Sequence, residues 1–195
     1  MSGLIIGLSG RRGTGKSKIA DHLIEKHGFR RLHPFEGGKA ACVGYFRHLG
    51  ADEDQARRMV NGNLKDVPSD LLPDRHTPRF FMEKFGQFMG VQLGPDWTIG
   101  REIKRATEQN PDARIIAESI VYEADVLRAQ GGVIVGVTRP QASISGVETD
   151  AATANITPDF EFLNDGEGIS DLHERVDALM EKVQEMTRET EPNPF

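Results

Sequence analysis

Gly10 to Ser17 reads GRRGTGKS and fits the pattern G-x-x-x-x-G-K-[ST] at every fixed position. Nothing else in the chain constrains its fold as tightly. The apolar run Leu4-Ile5-Ile6-Gly7-Leu8 before it predicts a buried strand, and Ile19, Ala20, Leu23 and Ile24 after it predict a helix. Strand, glycine-rich loop and helix in that order form the setting in which such a loop cradles phosphate. The glycines let backbone N–H groups turn inward, and the helix N-terminus adds positive potential at the same spot. The loop therefore predicts a nucleoside triphosphate site. Its expected contacts are Gly10, Arg12, Gly13, Thr14, Gly15, Lys16, Ser17 and Lys18, with Lys16 on the outer phosphates and Ser17 on a magnesium ion. ATP and Mg2+ are the cofactors this implies.

The 195 residues suffice for one domain with a sizeable core, and 37% apolar with 28% charged residues is an ordinary soluble balance. A net charge of −6 argues against a nucleic-acid surface. Cys42 is the only cysteine, which excludes an internal disulfide or a cysteine-based zinc site and fits a reducing compartment. It reads as a small helix residue rather than a nucleophile. The six histidines show no metal-binding spacing along the sequence. No apolar run approaches the roughly 20 residues that a membrane span needs, and the first residues read as a strand rather than a signal peptide. The expectation is a cytoplasmic enzyme with no membrane or nucleic-acid partner.

Along the chain, strands are expected at 4–8, 29–33, 113–117, 133–137 and 160–163. Helices are expected at 16–27, 36–49, after Asp52, at 78–89, from Pro95 to Gln109, at 121–130 and at 169–187. Asn63 to His76 reads as a loop. Strands alternating with helices predict an α/β fold with a parallel sheet covered on both faces. Ligands in such sheets sit beyond the carboxyl ends of the strands. Gly10–Ser17, His33–Lys39, Glu118–Val121 and Arg139–Glu148 are therefore the informative stretches. Residues 1–187 read as a single domain, with 36–110 as a helical acceptor-binding insert, 140–157 as a short lid and 188–195 as a flexible tail. Phe80, Phe81, Phe85 and Phe88 read as core, as do Leu172, Val176 and Leu179 of the last helix. Arg57 and Arg58 read as a solvated helix face.

No N-K-x-D segment is present, so a guanine-reading switch protein is not indicated. A small kinase remains, and its acceptor site should carry arginines and lysines. Asn61 to Gly86 reads NGNLKDVPSDLLPDRHTPRFFMEKFG. Here the chain resembles the phage-type deoxynucleoside monophosphate kinases. The match falls on Leu64, Lys65, Asp66, Thr77, Pro78, Arg79, Met82 and Gly86, and continues at Asp96-Trp97. Lys39, the Val135–Pro140 strand ending in Arg-Pro, and Asn164-Asp165-Gly166 extend it over nearly the whole chain.

The resemblance implies a three-layer α/β/α sandwich with strand order 2-3-1-4-5. It also implies transfer of phosphate from ATP to a nucleoside or deoxynucleoside monophosphate, in deoxynucleotide metabolism and in the host cytoplasm if phage-encoded. Arg79, helped by Lys39 and Lys65, would place the acceptor phosphate, and Trp97 would line the same region. Arg139 would meet the donor at the end of strand four. Glu118, also read as touching substrate, would stand beside Ser17 as the magnesium carboxylate. Lys16, Arg79 and Arg139 are the expected catalytic residues.

Two departures stand out. The family often has Asp-x-x-Arg after strand three, where this chain has Glu118-Ser119-Ile120-Val121. After Gly86 it has Gln87-Phe88-Met89-Gly90-Val91 in place of the family's polar positions. Another small acceptor such as dephospho-coenzyme A, or a nucleotide-binding regulator without transfer activity, are the alternatives. A homodimer stays open.

Overall fold

The computed structural model describes residues 3–142, 152–166 and 168–190. It falls into two compact units, one of Met1–Leu32 with Ile103–Phe195 and one of His33–Glu102. Residues 143–151 of the expected lid and 191–195 of the expected tail lie outside the described residues.

The first unit is built on a five-stranded sheet of β1 (Ile5–Ser9), β2 (Arg30–Leu32), β3 (Ile115–Glu118), β4 (Val133–Thr138) and β5 (Phe160–Leu163). The order is β2-β3-β1-β4-β5, and every pair is parallel. All of β1 and β3 is buried, which is why Ile5 to Leu8 and Ile115 to Ala117 read as continuous apolar runs rather than alternating ones, each strand ending on a buried polar residue, Ser9 or Glu118. On one face Ile6, Leu8, Ile116, Val135 and Val137 form a core cluster with Ile19, Ala20 and Leu23 of α1 (Lys16–His27). Leu172, Val176, Leu179, Met180 and Val183 of α7 (Ile169–Thr190) complete it. On the other face Gly7 meets Ile134, Ile120 and Leu127, the last from α6 (Ala124–Ala129). A methyl group on Gly7 would stand 2.8 Å from both Ile134 Cδ1 and Leu127 Cδ2, so the approach of α6 to the sheet depends on a bare backbone there. The fold is thus the α/β architecture expected, a parallel sheet in the order 2-3-1-4-5 with helices on both faces.

α1 stops where the sequence says it should. Gly28 adopts φ 69 and donates its N–H to the Ile24 carbonyl, as helix-ending glycines do. Along its C-terminal half α1 is tied to α7 by polar groups: His22, Lys26 and His27 all reach the Asp177 carboxylate.

The second unit has its own core of Cys42, Phe46, Ala56, Met59, Val60, Leu72 and Met82. These side chains come from α2 (Glu36–His48), α3 (Glu53–Asn61), α4 (Pro78–Gln87) and the loop between the last two. Asp52 caps α3, accepting the Gln55 N–H at 2.7 Å. Thr77 caps α4 by accepting the Phe80 N–H, and Pro78 fills the first helical position, where no N–H is needed. Arg57 and Arg58 lie on the solvated face of α3 and pair with Glu53 and Asp54.

The expected helices at 78–89 and from Pro95 to Gln109 need correction. α4 ends at Gln87, and the chain continues through two π-helical stretches, Phe88–Leu93 and Asp96–Gly100, before α5 (Arg101–Gln109). Gly90 and Gly94 weaken regular helix there, and Gly94 turns the chain at φ 86. This wider winding leaves Phe88, Val91, Leu93 and Trp97 exposed, and Phe80 faces outward as well. Phe80 and Phe88 are therefore not core residues, whereas Phe81 and Phe85 do pack against the second core. Among the described residues no helix is long and apolar enough to cross a membrane.

Cys42 is fully buried in the second core, and burial pushes its thiol up to about 11. An unfolded cysteine titrates near 8.5, so folding suppresses the thiolate between those values. At pH 8 a thiol-labelling reagent is expected to leave the native chain essentially untouched and to modify one group per chain once denaturant unfolds it.

Candidate functional site: the loop between β1 and α1

β1 ends at the buried Ser9, and the chain must then reach α1 without covering its N-terminus. It does so through three glycines at positive φ: Gly10 at 131, Gly13 at 78 and Gly15 at 98. Two of these positions are closed to any side chain by their surroundings too. A Cβ on Gly10 would run into the Val137 carbonyl, and one on Gly15 into the Asn164 carboxamide. Asn164, just after β5, donates to the Thr14 carbonyl at 2.8 Å and so holds the loop from its far side. Thr14 is buried, and its hydroxyl donates to the Arg11 carbonyl at 3.0 Å. Lys16 folds back over the loop, its Nζ donating to the carbonyls of Gly10 and Arg11 at 2.7 Å each. A backbone concavity with an ammonium across it, at the start of a twelve-residue helix, has the chemistry to accept a polyphosphate.

The neighbouring strand supplies the second feature. Parallel pairing sets Leu8 of β1 beside Glu118, the last residue of β3. Ser17, in the first turn of α1, donates its hydroxyl to Glu118 Oε2 at 2.9 Å. Glu118 is buried, and its other oxygen, Oε1, is held by the Arg31 guanidinium from β2. Arg31 in turn pairs with Asp21 at 2.7 Å. Immediately after Glu118 the chain adopts φ 60 at Ser119, a conformation unfavourable for a residue with a side chain. A hydroxyl and a carboxylate oxygen side by side are the hard donors that Mg2+ takes alongside phosphate oxygens and water. The donor set therefore fits Mg2+ held by Ser17 and Glu118.

Arg139 follows β4 and is exposed. In the second unit, Arg79 N–H donates to the Lys65 carbonyl at 2.9 Å. The Arg79 guanidinium grips Asp66 through two nitrogens, Nε and Nη2. That hydrogen bonding raises the Arg79 pKa further, so the group is a permanent cation. Lys39 pairs one turn back with Glu36 at 3.2 Å. Trp97 is 57% exposed, with the Arg101 guanidinium 4.8 Å above its ring. The structure thus joins Gly10, Gly13, Thr14, Gly15, Lys16, Ser17 and Glu118 into one site, and Lys65 with Arg79 into one local arrangement of the second unit.

Sequence reasoning missed Arg31 as the partner of Glu118 and the buttressing role of Asn164. Arg31 sits in a short strand whose pairing with β3 nothing local announces. Asn164 shows itself only as an asparagine in a turn after a strand.

No family model matches the chain, and no curated protein matches it. Among solved structures it is similar to the dephospho-CoA kinase from Campylobacter jejuni, with 11% identity, 92% of this chain and 96% of that one covered, and a TM-score of 0.48. It is also similar to TT1252 from Thermus thermophilus, at 15% identity, 95% and 98% coverage and a TM-score of 0.46. A third is the shikimate kinase from Bacteroides thetaiotaomicron, at 12% identity, 91% and 98% coverage and a TM-score of 0.41.

If Asn164 holds the loop in its phosphate-ready shape, Asn164→Ala should weaken binding of a fluorescent ATP analogue about fivefold. That is the value of one neutral hydrogen bond, about 1 kcal/mol. A urea titration should show only a small change in overall stability.

Proposed function

We propose that the chain is a phosphotransferase that moves the terminal phosphoryl group of ATP, with Mg2+, onto a small phosphorylated acceptor, and that a nucleoside or deoxynucleoside monophosphate is that acceptor. The observation that carries the donor half is the Ser17–Glu118 hydrogen bond at the edge of the glycine loop. It sets a magnesium-type donor pair beside a phosphate cradle.

Lys16 would exchange its two carbonyl partners for β- and γ-phosphate oxygens, a better match for an ammonium than a neutral carbonyl. Mg2+, when bound, supplies charge neutralisation for the transferring group. Arg12, Lys18 and Arg139 would add positive charge around the donor. Arg31 holds one oxygen of Glu118, fixing the carboxylate so that its other oxygen faces Ser17.

The acceptor half rests on the Thr77-Pro78-Arg79 helix start and its tie to Lys65 and Asp66. A guanidinium whose plane is fixed by a carboxylate is ready to grip a phosphate without losing rotamer freedom on binding. Lys39 and Lys65 would share the acceptor's charge, and the exposed Trp97 ring offers a flat apolar face suited to a base. An acceptor phosphate is already an anion, so the transfer needs positioning and charge rather than a general base. Such an enzyme would act in the cytoplasm, as a kinase of deoxynucleotide metabolism.

A coupled ADP-release assay with ATP and Mg2+ tests the reading against each ribo- and deoxynucleoside monophosphate and against dephospho-coenzyme A. Turnover on one or more monophosphates is expected. Turnover only on dephospho-coenzyme A would move the acceptor assignment, and ATP binding without turnover on any acceptor would favour a regulator.

Lys16→Ala should cut transfer at least a hundredfold, in line with the loss of a charged group that acts on the transferring phosphoryl. Its circular dichroism and urea midpoint should stay close to wild type. Full activity in that variant would remove the donor-site assignment. Arg79→Lys keeps the charge but loses the fork. It should raise KM for the monophosphate about tenfold or more while leaving KM for ATP nearly unchanged.

A further inference from the structure

Far along α1 from the phosphate loop, three side chains converge with no role in the donor site. His22 Nε2 lies 2.9 Å from Asp177 Oδ1, and His27 Nε2 lies 2.7 Å from the same oxygen. The three ligand-type atoms all fall within 4.8 Å of one another. We propose that His22, His27 and Asp177 form a binding site for a borderline transition-metal ion of the Zn2+ or Co2+ class, clamping α1 to α7.

Between the imidazoles and the carboxylate, the geometry needs little change to accept the ion. Metal–nitrogen and metal–oxygen bonds of about 2.1 Å, at angles between octahedral and tetrahedral, place ligand atoms about 3.0–3.4 Å apart. The present N···O separations of 2.7 and 2.9 Å need to open by only a few tenths of an ångström. Two imidazole nitrogens with one carboxylate is a donor set that suits zinc, cobalt or nickel and not magnesium, which prefers oxygen.

The surroundings are those of a held site. Lys26 donates to Asp177 Oδ2 at 2.6 Å, fixing the carboxylate while leaving Oδ1 to the two imidazoles, as outer partners of metal-ligating carboxylates do. The His22 side chain is 8% exposed, and its ring is stacked on that of His173 with centroids 4.0 Å apart. That stacking locks the plane of one ligand. His27 and Asp177 are 18% and 26% exposed, which leaves the ion a path from solvent.

The site is separate from the nucleotide site. His22 and His27 stand five and ten residues beyond Ser17 on the same helix. At 1.5 Å per residue that is about 8 and 15 Å along the axis. An ion there would bridge the helix that begins at the phosphate loop to the helix that follows Asn164. It would stabilise both supports of the loop by mass action, through preferential binding to the folded chain.

The test uses the untagged full-length chain and the metal alone. Titration with Co2+ is expected to produce a visible d–d absorption band that saturates at one equivalent. Zn2+ should abolish that band by displacement, and a large excess of Mg2+ should leave it intact. His27→Ala and Asp177→Asn should each weaken Co2+ binding tenfold or more. His48→Ala, on α2, should leave it unchanged. Zn2+ should also raise the thermal midpoint of the wild type in a saturable way. His27→Gln covers the case in which Asp177→Asn fails to fold, because the His27 ring lies at the edge of the cluster. Absence of the Co2+ band overturns the proposal, and so does undiminished affinity in either His27 variant.

Discussion

The loop from Gly10 to Gly15 has to pass against the ends of two other strands with no side chain in the way, and the first unit is arranged around that passage. Gly10 lies against the Val137 carbonyl of β4, and Gly15 lies against the Asn164 side chain after β5. Both contacts exist because β4 is the neighbour of β1 and β5 the neighbour of β4. The glycines therefore answer two demands at once. Their positive φ values bend the chain, and their missing side chains admit the strand ends that hold it. Lys16 and Asn164 then close the loop from opposite sides through hydrogen bonds to its carbonyls.

Strand order also sets the chemistry on the other side of β1. With β3 adjacent and Leu8 in register with Glu118, a carboxylate arrives at the height of the first turn of α1, where Ser17 meets it. A buried carboxylate without a partner would be costly. Placing β2 next outward puts Arg31 on its second oxygen and offsets that cost. The residues that follow Glu118, Ser119-Ile120-Val121, include no arginine. A guanidinium nonetheless stands beside Glu118, contributed by a different strand.

The second unit follows looser rules. Its first three helices are legible because Gly50 ends the first, because Asp52-Glu53-Asp54 bring negative charge to the start of the second, and because Phe81 and Phe85 recur at helical spacing in the third. The stretch after Gln87 is not. Its apolar residues also repeat at a near-helical period, but Gly90 and Gly94 allow a wider winding that turns Phe88 and Trp97 outward. Apolar spacing alone cannot distinguish a buried stripe from an exposed one when the backbone leaves the regular α-helix.

The sequence by itself determined the glycine-rich loop between β1 and α1, the five strands, the two-sided sheet and the end of α1 at Gly28. In each case the information is local: a motif whose glycines define backbone conformation, a continuous apolar run, or a cap within one turn of its helix. Only the tertiary structure decided that Arg31 neutralises Glu118, that Asn164 supports Thr14, and that histidines with no metal spacing along the chain meet on one oxygen of Asp177. His22 and Asp177 are 155 positions apart. Their meeting depends on α1 and α7 covering the same face of the sheet, and so on packing that no local pattern encodes.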